Sequence, residues 1–428
     1  MRDGPRWLTI INLLHTVLDQ GISADLAVRR WSKASRFAGS KDRRFVGDTL
    51  FDLCRQLGRL QWQLEATGGN PVDTRALALA YLGDDARMLF DGSDHAPAPL
   101  SGEEEQLLAA LDGLTDEPPV EAQLSVPDWA LPGMQKSFGD GWQVEAEALL
   151  EQPAVDLRMR DLGRNRDDML KNLGARGLDV LPTPYSPLGL RLQGRFAAGD
   201  VPELNDGQLE IQDEASQLAA LLVGVEQGMQ VLDLCAGAGG KSLVMAANLR
   251  GQGQVLAVDR DEYRLQEAGK RARRAKLPWI KTLCADAINA PDEALAGRWD
   301  RILVDAPCTG TGTWRRSPDA RWRMNALALA ELTEVQAALL DRAAGLVRPG
   351  GQIAYLTCSL LAEENTDQIV QFLSRHEGFE VLSFETVWQD ALEEYTPPSV
   401  LLQPHGWLMT PAQHGTDGFF MTVLRRAG

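Results

Sequence analysis

Two of the chain's five cysteines stand where an apolar run breaks into a loop: Cys308 in RILVDAPCTGTGT (301–313) and Cys358 in GQIAYLTCSLL (351–361). The count is odd and no two cysteines form a Cys-x-x-Cys pair, so neither a disulfide framework nor a metal site is expected. Free cysteine is most often a small buried hydrophobe, and Cys54, Cys235 and Cys284 are read that way or as backbone positions. Cys308 and Cys358 are read differently, because both sit at strand ends beside Asp305 and a glycine-rich loop. Such a pair suits methylation at carbon 5 of a pyrimidine. That carbon is not nucleophilic in the aromatic ring. A thiolate adding to carbon 6 breaks the aromaticity and leaves an enamine that can attack a methylsulfonium. The carbon 5 proton and the thiolate must then depart. One cysteine suffices for the attack, and assisting the elimination is the task left for a second.

The glycine-rich loop is DLCAGAGGKSL, Asp233 to Leu243. Gly237, Gly239 and Gly240 let the backbone turn tightly and approach a ligand with no Cβ in the way. Gly240-Lys241-Ser242 match the end of a phosphate-cradling GxxxxGK[ST] loop, but Cys235 stands where its first glycine is required. A dinucleotide GxGxxG pattern fails at Ser242. The acids select among the ligands. Asp259 closes the run LAVD and is placed for the two hydroxyls of a ribose, and Asp286, in CADA, for the amino group of an adenine. Acids after both the second and the third strand favour S-adenosylmethionine. The candidate cofactor positions are therefore Cys235, Ala236, Gly237, Ala238, Gly239, Gly240, Lys241, Asp259, Asp286 and Asp305.

These residues need a scaffold that gathers strand ends. VLDL (231–234), QVLAV (254–258), KTLC (281–284), RILV (301–304) and QIAYL (352–356) are short apolar runs separated by helical segments, notably 261–275 and 325–347. The alternation predicts an α/β fold with a doubly wound, mostly parallel sheet, whose ligands lie beyond the carboxyl ends of the strands. Residues 1–145 read as an all-helical domain, with Ile10, Leu14 and Val17 on one helical face and Val46, Leu50, Leu53 and Leu57 on another. A Pro-, Gly- and acid-rich stretch, 84–128, reads as a surface loop or linker and one more helix. Residues 146–211 read as a small α+β subdomain, and 212–428 as the catalytic domain. Net charge is −17, which argues against a nucleic-acid binder held by global charge alone. Local basic clusters remain: Arg29, Arg30, Lys33, Arg36, Lys41, Arg43 and Arg44; Arg158, Arg160, Arg164, Arg166, Lys171 and Arg176; and Arg315, Arg316, Arg321 and Arg323, read as a phosphate-contacting rim. The opening MRDGPRWLTIINLLHTVLDQG lacks a cleavage site and no apolar run is long enough to span a membrane, so a cytoplasmic protein with no membrane partner is expected.

Five stretches together resemble one family: IQDEASQLAA (211–220), DLCAGAGGKSL, DAPCTGTGTWRRSPDARW (305–322), YLTCSLLAEEN (355–365) and DGFFMTVLRR (417–426). They are similar to the Sun-type (RsmB-type) RNA cytosine-5 methyltransferases. The stretch GSKDRRFVGDTLFDLCR resembles the NusB-like helical domain that precedes the catalytic domain in bacterial members, and 154–211 resembles their RNA-binding subdomain, departing from it at Arg160. The resemblance implies a Rossmann-like class I methyltransferase domain, S-adenosylmethionine as cofactor, and a monomer acting on RNA: ribosomal RNA first, transfer RNA as the alternative. It implies Cys358 as the nucleophile and Cys308 as the residue that helps release the product. It further implies Asp305 as a contact to the target base beside the cofactor methyl group, and Lys241 in the same pocket. A DNA-type enzyme would instead use Cys308 for attack, and a non-catalytic scaffold would not need both cysteines.

Overall fold

The apolar periodicity of the first 150 residues produces helices. A computed structural model describes residues 2–194, 196 and 198–428 of the chain, and these divide into two compact units. The first comprises Met1–Gln152 together with Thr313–Leu327. Its helices Asp3–Leu18 and Ser40–Ala66 bury Ile10, Leu14 and Val17 against Leu50, Leu53, Leu57 and Leu60, an i, i+3/i+4 stripe on each. The stretch 84–128, expected as a loop or linker before one more helix, holds three helices, Ala86–Leu89, Gly102–Asp112 and Val120–Gln123; the second is opened by a capping box in which Ser101 accepts from the Glu104 N–H and Glu104 from the Ser101 N–H. Residues 313–327 lie far along the chain yet fold into this unit. Trp314 is fully buried with its ring edge-on to Trp129 at 5.9 Å, and Trp322 Nε1 donates to the Cys54 carbonyl at 2.7 Å.

The second unit comprises Pro153–Gly312 and Ala328–Gly428. It begins with strands β1 (Val155–Met159), β2 (Val180–Pro182), β3 (Gly189–Leu192) and β4 (Leu209–Ile211), paired antiparallel in the order β2-β3-β1-β4. Helix Arg166–Gly174 closes one face through Met169 and Leu173.

The large sheet holds, among the described residues, β5 (Gln230–Asp233), β6 (Gln254–Asp259), β7 (Ile280–Cys284), β8 (Trp299–Asp305), β9 (Val347–Thr357), β10 (Phe379–Val381), β11 (Leu401–Gln403), β12 (Gly406–Met409) and β13 (Phe419–Arg426). Its order is β11-β12-β13-β9-β8-β5-β6-β7, with β10 paired to β13. Strands β5 to β9 run parallel, and β13 lies antiparallel against β9. This is the doubly wound, Rossmann-like sheet that the alternation predicts. Val231, Leu232, Val255, Ala257, Val258, Ile302, Leu303, Val304, Ile353 and Leu356 are fully buried, because helices cover both faces and leave no solvent side for polar alternation. From β5 the chain winds outward through β6 and β7, then returns to β8 on the other side of β5. That reversal opens a crevice at the carboxyl ends of β5 and β8, where such sheets bind ligands. Among the described residues no helix is long and apolar enough to cross a membrane.

Candidate active site at the carboxyl edge of the sheet

Strand β5 ends on Asp233, and helix Gly240–Asn248 starts seven residues later. The turn between them needs left-handed backbone at Gly237 (φ +52°) and Gly239 (φ +79°); a Cβ on Gly239 would stand 2.9 Å from that of Ala268. Glycine thus lets the loop lie flat on helix Glu262–Arg274. The loop is tied down at several points: Ala236 N–H to the Val258 carbonyl (2.9 Å), Arg271 Nη1 to the Ala238 carbonyl (2.7 Å), and Gly237 N–H to Asp259 Oδ2 (2.7 Å). Asp259, at the end of β6, also accepts the Asp261 N–H on Oδ1 at 2.8 Å. Asp286 is exposed beyond β7 and accepts from the Ile288 N–H and the Asn289 side chain at 2.7 Å, which hold its carboxylate below the ordinary range. Two carboxylates at neighbouring strand ends, a backbone cradle with no Cβ at its tightest points and a helix start form a donor and acceptor set that fits a nucleoside carrying an amino acid group.

Behind the loop lies a residue the sequence reading passed over. Asp233 is buried, accepts the Ser242 hydroxyl at 2.5 Å, and has Oδ1 with no partner among the described residues. Burial, reinforced by the nearby Asp305 carboxylate, pushes its carboxyl up to about 7.

Lys241, in the first turn of the helix, reaches back across the crevice. Its Nζ lies 2.6 Å from Asp305 Oδ2 at the end of β8 and 4.9 Å from the centre of the Phe419 ring on β13. The ammonium is 11% exposed and the carboxylate 30%, so the pair borders the crevice instead of lying in the core.

Cys308 and Cys358 follow β8 and β9, and the fold brings their sulfurs to 3.4 Å. Both are free thiols of intermediate burial. The hydrogen bond with Cys358, burial and the nearby Glu364 charge raise the Cys308 thiol well above its usual range. The two loops are stitched together: the Gly312 N–H donates to the Cys358 carbonyl (2.9 Å), and Thr311 Oγ1 accepts from the Leu360 N–H (2.7 Å) and lies 3.1 Å from Ser359 Oγ. Three residues absent from the sequence-based set hold this region. Glu364 is fully buried and accepts from Thr309 N–H, Thr309 Oγ1 and Gln336 Nε2 at 2.8, 2.5 and 3.0 Å. Burial raises its carboxyl, against those donors. Asn365, the next residue, binds Thr357 and Ser359.

Cys308, Cys358, Asp305 and Lys241 therefore share one edge with the loop Cys235–Gly240 and Asp259, while Asp286 stands farther out on the same edge. Of the four arginines of the expected rim, Arg315 and Arg321 are buried, while Arg316 and Arg323 are partly exposed. Arg321 is buried in the helical unit, where it donates to the Ser125 and Leu149 carbonyls (2.9 and 3.3 Å) and stacks 4.7 Å over Trp314. Arg315 is buried and Arg323 pairs with Asp319 at 2.8 Å. Arg321 thus holds residues 313–327 to the helical unit, a use that charge alone does not reveal. In the small subdomain, Arg160 pairs with Asp161 and Arg176 with Glu203, and Arg158 is buried, which lowers it to about 10. Three of the six basic side chains of this cluster are thus taken up within the subdomain. Cys284 is exposed instead of buried, its sulfur 3.7 Å from the Arg260 carbonyl.

The chain is similar to known methyltransferases. A family model described as 16S rRNA methyltransferase RsmB/F matches residues 220–425, and one for the ferredoxin-like domain of RsmF/B-like methyltransferases matches 126–198. The probable ribosomal RNA small subunit methyltransferase B of Synechocystis sp. is 33% identical over 315 residues, 71% of this chain and 68% of its own. The ribosomal RNA small subunit methyltransferase B of Shewanella oneidensis is 27% identical over 434 residues, 96% of each chain. The solved structure of a methyltransferase homolog protein from Pyrococcus horikoshii aligns with a TM-score of 0.61 at 25% identity, over 72% of this chain and 97% of that one.

Proposed function

The chain belongs to the RsmB/F family of methyltransferases, and from that premise we propose that it converts a cytosine of ribosomal RNA to 5-methylcytosine through a covalent bond from Cys358 to carbon 6. The observation that carries this reading is the 3.4 Å sulfur pair at the ends of two adjacent parallel strands, beside Asp305 and Lys241. The loop Cys235–Gly240, Asp259 and Asp286 would hold S-adenosylmethionine, with Lys241 and Asp305 bordering its reactive end. When bound, that cofactor supplies the methyl group that carbon 5 takes up.

The chain's own residues do the rest. The Cys358 thiolate adds to carbon 6, and the ring electrons move to make carbon 5 nucleophilic. Asp305, fixed by the Lys241 ammonium, hydrogen-bonds the base and orients it. After methylation carbon 5 carries both a methyl group and a proton. Cys308, as thiolate, takes that proton; the carbon 6–sulfur bond breaks, the ring regains its aromaticity, and Cys358 leaves as thiolate. Because a paired base is unreachable, the target is single-stranded or flipped out.

RNA capture is assigned to the helical unit. Arg29, Arg30, Lys33, Arg36, Lys41, Arg43 and Arg44 are all exposed, and Phe37 among them is 75% exposed. Lys41, Arg43 and Arg44 crowd the start of helix Ser40–Ala66, where the helix dipole disfavours cations. An anionic partner explains that placement, and an exposed ring among cations suits stacking on an unpaired base. Incubating the protein with ribosomal RNA and methyl-labelled S-adenosylmethionine, followed by nucleoside mass spectrometry, tests the reading. Label in 5-methylcytidine is expected, and label in any other nucleoside would refute it. Bisulfite sequencing of ribosomal and transfer RNA from a deletion strain then identifies the RNA and the position.

A further inference from the structure

The two cysteine loops are gripped by one buried dipeptide. Glu364 takes both polar groups of Thr309, the residue after Cys308: its N–H at 2.8 Å and its hydroxyl at 2.5 Å. Gln336, itself buried, binds Glu364 and the Pro307 carbonyl at 3.0 Å each, so both neighbours of Cys308 are tied. Asn365 does the same for Cys358. Its Oδ1 accepts the Thr357 hydroxyl at 2.5 Å and its Nδ2 donates to the Ser359 carbonyl at 2.9 Å. The dipeptide is anchored in turn by Tyr355, whose hydroxyl donates to the Glu364 carbonyl at 2.6 Å. None of these side chains is open to solvent. Burying a carboxylate, two carboxamides and three hydroxyls is unfavourable unless they are paired, and an apolar core would be cheaper than such a network. The network encloses the two residues whose separation matters, a placement that stability alone does not require.

We infer that Glu364 and Asn365 are positioning residues that set the two cysteines in register, Glu364 for the release step through Cys308 and Asn365 for the attack step through Cys358. The assignment rests on the function proposed above. The peptide bond between them keeps the two grips adjacent, while each side chain holds its own loop: Glu364 the loop of Cys308 and Asn365 the loop of Cys358. Displacing a reacting group by about 1 Å can slow a reaction on the order of a hundredfold, so loosening either grip is expected to slow the corresponding step by about ten- to a hundredfold.

The test follows the covalent enzyme–RNA adduct in time, with the full-length protein, RNA and S-adenosylmethionine. Glu364→Ala is expected to form adduct at the normal rate and release it slowly, and Glu364→Gln, which keeps an acceptor and the volume, to recover most of the release rate. Asn365→Ala is expected to form adduct slowly. Melting temperature and S-adenosylhomocysteine affinity report whether each variant is folded. Should either alanine variant fail to fold, Thr309→Val and Thr357→Val remove the same contacts from the other side and are expected to reproduce the same split. Unchanged rates, or formation and release slowed alike by every variant, would overturn the assignment while leaving the function standing. If Cys308→Ala forms no adduct at all, the proposed function falls, and this inference with it.

Discussion

Replacing Asp259 tests the cofactor site where its geometry is most explicit. Its carboxylate sits at the end of β6, with Oδ2 2.7 Å from the Gly237 N–H and Oδ1 2.8 Å from the Asp261 N–H. Each oxygen keeps a further lone pair for a ribose hydroxyl. A hydrogen bond to a charged acceptor contributes about 1.5–3 kcal/mol, so Asp259→Ala should weaken S-adenosylmethionine binding roughly 10- to 150-fold. Gly237 is buried, so the substitution also leaves its N–H without an acceptor and the loop less ordered. Asp259→Asn keeps one acceptor oxygen and the shape of the turn, and should fall between wild type and alanine. Asp286→Ala should weaken binding less, because Asp286 is exposed and already engaged by Ile288 and Asn289. Calorimetric titration of the RNA-free protein measures all three, since the whole site lies within one unit. Unchanged affinity in Asp259→Ala would refute the placement. Tight binding and hydrolysis of ATP would identify the loop as a phosphate cradle instead.

Three further outcomes are expected. Asp233 is held near 7 in the fold against about 3.9 in an unfolded chain; its contribution is therefore complete below about pH 4 and is lost as pH rises to about 7, by a few kcal/mol in total. Denaturant melts of Asp233→Asn and wild type at pH 5 and 8 should show a smaller loss in the variant, and equal losses would contradict this. Arg321→Ala orphans the carbonyls of Ser125 and Leu149 and should destabilise the helical unit by about 2–5 kcal/mol. It should leave the salt dependence of RNA binding unchanged; a phosphate-contacting arginine would instead reduce the logarithmic slope by about one. Reversing Arg43 and Arg44 to glutamate should lower RNA affinity and flatten that slope, and Phe37→Ala should lower affinity at an unchanged slope; RNA binding untouched by both would give the helical unit another role.

The sequence makes the large sheet legible because its inner parallel strands, buried on both faces, leave unbroken apolar runs; the edge strand β7 is legible from KTLC although none of its residues is buried. Strands β5 to β9 fall on the five runs read from composition, and helices Glu262–Arg274 and Ala326–Leu346 on the segments 261–275 and 325–347. Short strands with mixed burial, such as β2 and β4, escape that criterion. The loops at strand ends are legible because glycine, aspartate and cysteine there have few structural substitutes. The segment 313–327 is not, because its arginines and tryptophans describe an exposed cationic rim as well as a buried brace. Their burial depends on helices more than 150 residues away, although Trp314 and Trp322 flanking the arginines are a signal in hindsight. Glu364 and Asn365 lie within a quoted stretch, yet acidic and amide side chains are read as exposed unless their partners are known. Gln336, alone and polar on the buried side of an apolar helix, is the one clue to that network.

The proposed division of labour lies between two sulfurs 3.4 Å apart. It is tested most directly by running Cys308→Ala and Cys358→Ala, each incubated with cytosine-containing RNA and S-adenosylmethionine, on a denaturing gel. Cys308→Ala should attack and methylate but release slowly, giving a protein–RNA adduct that survives denaturation and depends on the cofactor. Cys358→Ala should be inactive and adduct-free. An adduct formed by Cys358→Ala, or none with an inactive Cys308→Ala, would reverse or remove the two roles.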